Sequence, residues 1–168
     1  MSLPPSGDVD DRVAGVSLVC SALAILLPAL CNTAPMRTQD DVFHLAIPTR
    51  DLDEAYDFYV SKLGCKLARR RNDRITLDFF GDQVVLHLSD KWDRDAGDLY
   101  PRHFGVTFRH RQDLERLIHL AEVRGIEIYH PLSSRFVGEV EEHLTVVFKD
   151  PSNNLLEFKW YHDPRMAY

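Results

Sequence analysis

Apolar and polar residues alternate along four segments of the chain, and this period of two predicts β-strands. The segments are VFHLAIPT (42–49), QVVLHLS (83–89), RHFGVTF (102–108) and NLLEFKW (154–160). In each segment the apolar residues share one face, and one potential metal ligand lies on the other face. These ligand candidates are His44, His87, His103 and Glu157. Chance rarely produces four such placements in one small domain, so we take these four residues as the candidate functional residues.

The same order of predicted elements occurs twice. In the first unit, a strand over 42–48 precedes a helix over 49–64, and strands follow around 65–71, 74–80 and 83–89. Asp51 and Glu54 suit a capping box at the start of this helix, and Gly64 suits its end. In the second unit, a strand over 102–110 precedes a helix over 112–125, and strands follow at 126–131, 143–150 and 154–160. His44 corresponds to His103, His87 corresponds to Glu157, and the second unit has an insertion within 132–143.

Each predicted β-α-β-β-β unit has one helix, which can cover only one face of its sheet. Two units with their helices outside would form a curved mixed sheet whose inner face holds the four candidate ligands and encloses a metal cavity. The predicted class is α+β, with modules at 41–90 and 101–163.

Composition excludes several classes of protein. The chain has 168 residues, of which 45% are hydrophobic and 27% charged, as in an ordinary globular domain. Its formal net charge of -6 argues against nucleic acid as a partner. Cys20, Cys31 and Cys65 form no CxxC motif, so we expect neither a disulfide scaffold nor a thiolate zinc site.

Residues 1–36 differ from the rest of the chain. No charge occurs between Arg12 and Arg37, and the apolar stretch 13–30 approaches the length of a membrane-spanning helix. Three interpretations stay open: an anchor or signal, an upstream extension with no role in the fold, and a packed helix. The acidic residues before this stretch argue against a secretory signal, so a cytoplasmic protein is favoured over a membrane-anchored or exported one.

The chain resembles the vicinal oxygen chelate superfamily, which includes lactoylglutathione lyases, extradiol dioxygenases, fosfomycin-modifying enzymes and bleomycin-resistance proteins. The resemblance covers residues 41–163 and is carried by three segments: FHLAIPTRDLDEAYDFYVSKLGCKL, HFGVTF and FKDPSNNLLEFKW. In the superfamily, metal ligands come from the first and last strands of each unit. Carried over by position, these ligands are His44, His87, His103 and Glu157.

His87 departs from one branch of the superfamily. Lactoylglutathione lyases usually have a Glu at that position. Dioxygenases and fosfomycin-modifying enzymes instead use a ligand set of two His and one Glu. Here that set is His44, His103 and Glu157. The resemblance therefore implies a metal-dependent enzyme, with dioxygenase-like chemistry slightly ahead of lyase chemistry. The alternatives are a lactoylglutathione lyase and a metal-free small-molecule binding protein.

Two imidazoles and a carboxylate suit a divalent first-row metal: Fe(II) is favoured, and Zn, Mn, Ni or Co are possible. A small substrate would bind such a metal through two neighbouring oxygens. His87 would be either a fourth ligand or a general base, since imidazole exchanges protons near neutral pH. For any one of these histidines, the competing interpretation is a buried, hydrogen-bonded strand residue.

The remaining candidates concern the substrate. Arg135, Phe136 and Glu139 lie in the predicted insertion and could form a lid, although a solvated acidic loop explains them equally well. Tyr161 shares the predicted face of Glu157 and could line the pocket. A surface position is favoured for the other histidines, although His143 lies near the insertion and could face the cavity; these are His110, His119, His130, His143 and His162. We expect a small-molecule substrate and a homodimer.

Overall fold

In the part of the chain that the structure describes, eight strands and two α-helices follow in the order that the sequence predicts. The computed structural model describes residues 37–95 and 97–168, and the chain from Val42 to Tyr168 forms one unit. The apolar stretch 13–30 lies outside the described residues. Among the residues that are described, no helix is both long and apolar enough to cross a membrane.

The first module occupies the chain from His44 to Leu88. Its elements are β1 (His44–Thr49), α1 (Leu52–Tyr56), which continues as a π-helix (Asp57–Lys62), β2 (Lys66–Arg70), β3 (Arg74–Phe79) and β4 (Asp82–Leu88). The Asp51 carboxylate caps α1 by accepting hydrogen bonds from the backbone N–H groups of Asp53 and Glu54 (2.7 and 2.9 Å). Gly64 follows the π-helix with a φ of 88°, a conformation that glycine adopts at little cost.

The second module repeats this order from Phe104 to Tyr161. Its elements are β5 (Phe104–Thr107), α2 (Arg111–Val123), β6 (Ile128–Arg135), β7 (His143–Lys149) and β8 (Leu155–Tyr161). A short 3-10 helix (Pro164–Ala167) follows. The predicted insertion is shorter than expected, because Leu132–Arg135 extend β6 and only residues 136–142 form the loop.

Each module forms an open, mixed sheet of four strands. The strand orders are β1-β4-β3-β2 and β5-β8-β7-β6, so β1 and β5 lie at sheet edges. In both sheets the first strand is parallel to the last, and the other pairs are antiparallel. The α+β class and both β-α-β-β-β modules are therefore confirmed.

One apolar core joins the two modules. α1 packs against β3 and β4, and α2 packs against β8. The Phe79 ring in β3 lies 5.5 Å from the Phe104 ring and 6.4 Å from the Phe158 ring, both in the second module. Because the core holds the apolar strand faces, the opposite faces carry the candidate ligands.

Polar contacts also join the modules at the end of β1. The Thr49 hydroxyl lies 3.0 Å from the Ser152 hydroxyl, which accepts a hydrogen bond from the Arg50 backbone N–H (3.0 Å). The Asn154 side-chain amide donates to the Pro48 carbonyl oxygen (3.0 Å). The turn between β7 and β8 is thereby fixed to the first module.

Candidate functional site

The candidate ligands form two separate pairs, one on each sheet. His44 begins β1, and its Cα partner in β4 is Gln83. His103 directly precedes β5, and two residues later Gly105 is the Cα partner of Glu157 in β8. We call His44 with Gln83 the first half-site, and His103 with Glu157 the second half-site.

In the first half-site, a hydrogen bond fixes the imidazole. The Nδ1 atom of His44 lies 2.7 Å from the Gln83 side-chain oxygen, which accepts the Nδ1 proton. The proton on Nδ1 leaves a lone pair on Nε2, the form in which imidazole binds a metal. Since the His44 side chain is exposed, this lone pair is open to an incoming ligand.

In the second half-site, the carboxylate is almost fully buried. The Glu157 side chain is 2% exposed, and its Oε1 atom accepts a hydrogen bond from the Thr145 hydroxyl (2.8 Å). Its Oε2 atom lies 3.0 Å from His103 Nε2 and 2.8 Å from Lys159 Nζ. Neither contact has the alignment of a good hydrogen bond, so Oε2 is a buried oxygen whose charge is offset mainly by the adjacent Lys159 ammonium.

These contacts keep Glu157 ionised. Burial raises the pKa of the Glu157 carboxyl, but contacts with Lys159 and Thr145 and the charges of Lys159 and His103 outweigh it. The net result is a pKa below the ordinary value for glutamate. At neutral pH the second half-site therefore presents a carboxylate, which is the form that binds metals.

The contact between His103 and Glu157 suits a bound cation. His103 Nδ1 donates to the Leu99 carbonyl oxygen (3.0 Å), so a neutral ring has its lone pair on Nε2. That lone pair would face the anionic Oε2 atom at 3.0 Å. The Lys159 ammonium, 2.8 Å from Oε2, offsets part of this repulsion, and a metal bound to both atoms would remove it. Two ligand atoms about 2.1 Å from a metal and at right angles are about 3 Å apart, so the pair fits a divalent metal.

The structure does not bring the whole predicted set together in one chain. Among residues 37–95 and 97–168, no three His, Cys, Asp or Glu side chains form a cluster suited to a metal. His103 and Glu157 meet, whereas His44 contacts Gln83 instead.

His87 lies away from the first half-site. Its Cα partner in β1 is Pro48, four residues beyond His44, which corresponds to about 13 Å along a strand. Side chains on one face project in parallel, so the two imidazoles cannot reach the same metal. The register therefore argues against His87 as a fourth ligand beside His44.

Sequence reasoning missed three residues that contact the predicted ligands: Gln83, Thr145 and Lys159. Gln83 is four residues from His87 in the same predicted strand, and Lys159 is two residues from Glu157. An even spacing along a strand places both residues of each pair on the same face, and this was a usable signal. The register between β1 and β4, which selects Gln83 rather than His87, has no local signal in the sequence.

The predicted substrate residues lie near the far end of the same face. Arg135, His143 and Tyr161 are Cα partners in one row across β6, β7 and β8. This row is four residues from Glu157 along β8, or about 13 Å. Among the described residues, Arg135 has no carboxylate partner.

Aromatic rings fill the space around this row. The His143 ring lies 4.7 Å from the Tyr161 ring and 5.7 Å from the Phe136 ring. Phe136 is exposed and has a φ of 51°, a strained conformation for a non-glycine residue. Glu139 lies on the exposed 136–142 loop.

His143 corrects a prediction, because it is buried (6% exposed) rather than on the surface. Its Nδ1 atom donates to the Glu141 carbonyl oxygen (2.9 Å). The other histidines outside the half-sites are exposed, as predicted: His110, His119, His130 and His162.

A cavity of about 730 Å³ lies beside the second half-site. Its walls are the edge strand β1 from Leu45 to Pro48, the segment between β4 and β5, and the start of β5. His103 lines this cavity, and Asp93, Asp98 and Arg102 lie on its polar wall. The volume suits a small organic molecule.

The sequence model of the glyoxalase/bleomycin resistance protein/dioxygenase protein family, a superfamily, matches residues 41–158. This range is most of the chain and contains both half-sites. The chain belongs to this superfamily.

Curated relatives and solved structures agree with this assignment. The glyoxalase domain-containing protein RDO1 of Mycosarcoma maydis is 30% identical over 124 residues, which cover 73% of this chain and 69% of that protein. A crystal structure of a superfamily member from Alicyclobacillus acidocaldarius is 68% identical, with a TM-score of 0.76, and the match covers 79% of this chain and all of the other.

Two further matches have more specific names. A lactoylglutathione lyase of Neisseria meningitidis is 36% identical over 66 residues, which cover 34% of this chain and 48% of the lyase. The fosfomycin resistance protein FosX of Listeria monocytogenes shares the fold, with 14% identity, a TM-score of 0.60, and coverage of 78% of this chain and 99% of FosX.

Proposed function

We propose that this chain is a metal-dependent enzyme of the superfamily that acts on a small molecule chelated through two neighbouring oxygens. His44, His103 and Glu157 would hold a divalent metal. The observation that carries this proposal is the 3.0 Å contact between His103 Nε2 and the buried Glu157 Oε2 atom, which accepts no hydrogen bond of good geometry and whose charge is offset by the Lys159 ammonium. When bound, the metal would act as a Lewis acid toward the substrate oxygens.

The donor set favours Fe(II), because two histidines and one carboxylate are the ligands of non-haem Fe(II) oxygenases. Zn, Mn, Ni and Co suit the same donors. The chain's own residues prepare these donors: Gln83 holds His44 with its Nε2 lone pair free, and Thr145 orients the Glu157 carboxylate.

We propose that a homodimer completes the site. One chain would supply the first half-site, and the partner chain would supply the second. The separation of the two half-sites within one chain supports this arrangement. A symmetric dimer would then contain two equivalent sites.

Dioxygenase-like chemistry is favoured over the lyase. The residue paired with His44 is the amide Gln83. An amide side chain does not accept a proton near neutral pH, whereas a lyase that moves a proton between neighbouring carbons needs a base there. His87 is exposed and four residues away, so as a base it would reach only a part of the substrate remote from the chelated oxygens.

The substrate would also contact the row at the end of β8. Arg135 would bind an anionic group, while Phe136 and Tyr161 would pack against an apolar body. The exposed guanidinium of Arg135, and the exposed ring of Phe136 on a strained backbone, support these roles. Glu139 would form part of the rim.

A substrate screen across metals tests the reaction class. The purified full chain is loaded separately with Fe(II), Zn, Mn, Ni or Co, and oxygen consumption is followed together with absorbance. We expect oxygen uptake with Fe(II) and a substrate that carries adjacent oxygens, such as a catechol. This uptake should be lost in His103→Ala and kept in His119→Ala, which changes an exposed helix residue.

The second candidate function is a lactoylglutathione lyase, which the match to the Neisseria enzyme favours. Turnover of a glutathione hemithioacetal with Ni, Co or Zn, without oxygen uptake, would establish it over the oxygenase. A third outcome, tight ligand binding by protein stripped of metal, would instead indicate a bleomycin-resistance-like binding protein.

A further inference from the structure

Lys159 contacts the same carboxylate oxygen that faces His103. Lys159 and Glu157 are two residues apart in β8, so their side chains share one face of the sheet. The Lys159 Nζ atom lies 2.8 Å from Glu157 Oε2, and its side chain is 23% exposed. The ammonium group is thus the cation that compensates the buried carboxylate in the metal-free chain.

A metal and this ammonium would compete for one oxygen. His103 Nε2 approaches Oε2, whereas Oε1 is already engaged by the Thr145 hydroxyl. A metal held by His103 and Glu157 would therefore bind through Oε2, the oxygen that faces the imidazole. Two positive groups at one oxygen repel each other strongly in a site shielded from water.

We propose that Lys159 is an internal competitor that a metal must displace from Glu157, and that it thereby limits the metal affinity of the second half-site. This inference rests on the proposed function, in which Glu157 and His103 bind a metal. Lys159 is a positioning residue here, because it acts through Glu157.

The chain offers a matched control lysine. Lys149 lies in β7, its side chain is also 23% exposed, and it forms an ion pair with a different carboxylate, Glu127, at 2.7 Å. Removing the charge of Lys149 changes the net charge of the protein as much as removing that of Lys159. It leaves Glu157 untouched.

The test is the affinity of the metal-free full chain for Zn and Co, measured by competition with a chromogenic chelator. We expect Lys159→Met and Lys159→Gln to bind each metal at least about tenfold more tightly than wild type. Lys159→Arg, which keeps the charge, should bind no more tightly than wild type, and Lys149→Met should match wild type. Two neutral variants guard against a folding defect in one of them.

The outcomes separate the inference from the proposed function. Equal or weaker binding by both neutral variants, with clear binding by wild type, would overturn the role of Lys159 and leave the metal site standing. Binding by the neutral variants but not by wild type would support both proposals. No binding by any variant would overturn both.

Discussion

A buried tyrosine and a buried aspartate connect the two modules. Tyr59, in the π-helix of the first module, is fully buried, and its hydroxyl donates to Asp150 Oδ2 (2.8 Å). Asp150, at the turn between β7 and β8, also accepts hydrogen bonds from the Ser152 backbone and from the backbone and side chain of Asn154. Burial raises the pKa of Asp150 above 3.8, although these hydrogen bonds oppose the rise.

We predict that Tyr59→Phe destabilises the protein by about 1.5–3 kcal/mol at pH 7, because a buried carboxylate loses a donor. Loss of this bond raises the pKa of Asp150 further. Because the folded state binds the Asp150 proton more tightly than the unfolded state does, this proton stabilises the fold below the unfolded pKa of about 3.8. That stabilisation is lost as the pH rises through the folded-state pKa. The difference from wild type should therefore grow from pH 4 to pH 7 in urea unfolding.

Tyr56→Phe is the matched control for this prediction. The Tyr56 ring is partly buried and packs under Arg70, whose guanidinium carbon is 5.9 Å from the ring centroid. We expect its unfolding free energy to stay within about 0.5 kcal/mol of wild type. Equal effects of the two variants would show that the bond to Asp150 adds nothing.

Alternation in the sequence was sufficient to predict the strand faces on which His103 and Glu157 lie. His103 and Glu157 each oppose an apolar stripe, and the structure places them 3.0 Å apart. The first half-site was predicted only in part, since the partner of His44 is Gln83 rather than His87. A period of two identifies a face but not the register between strands, which depends on how whole strands pack.

Strand β5 depends on one close approach between its backbone and that of β8. A Cβ atom on Gly105 would lie 1.8 Å from the backbone oxygen of Glu157, which no side chain can tolerate. Gly105 thus lets β5 pair tightly with β8 and holds His103 beside the carboxylate. The equivalent position in the first module is Ala46, in β1.

We predict that Gly105→Ala lowers the unfolding free energy by at least about 2 kcal/mol, because the two strands must separate. Metal affinity should also fall, since β5 carries His103. Ala46→Gly, the reverse change at the equivalent position, should cost only about 0.5–1 kcal/mol. Urea unfolding and metal titration of both variants provide the check, and similar costs for the two changes would contradict a special role for Gly105.

The sequence predicted every strand and both α-helices of the described residues, but not the short 3-10 helix (Pro164–Ala167), and it erred where the pattern was weak. Only half of the predicted capping box forms, because the Glu54 carboxylate pairs with Arg50 (2.7 Å) instead of returning to the helix start. β6 was predicted too short, because Ser133, Ser134 and Arg135 are polar residues of an exposed edge strand. Hydrophobic alternation disappears in such a strand.

The whole molecule places its two half-sites apart, and this separation has a testable consequence. The test is to mix His44→Ala and Glu157→Gln chains in equal amounts, under conditions in which subunits exchange, and to measure the bound metal. If sites form across a dimer, each mixed dimer regains one intact site, and about a quarter of the wild-type metal capacity should return. If each site lies within one chain, mixing should restore nothing.

The sequence could not predict this arrangement of half-sites. Its repeat indicated two modules and its alternation indicated which faces carry ligands. Which sheet edges meet, and whether they belong to one chain, depends on tertiary and quaternary packing that leaves no periodic signal.

The most direct test of the proposed metal centre is the metal content of the purified full chain after loading and dialysis, with thermal unfolding as a check on folding. Wild type and His119→Ala should retain about one divalent metal per chain, while His44→Ala, His103→Ala and Glu157→Gln should each lose most of it. A wild-type chain that retains no metal, or variants that retain as much as wild type, would contradict the proposed site.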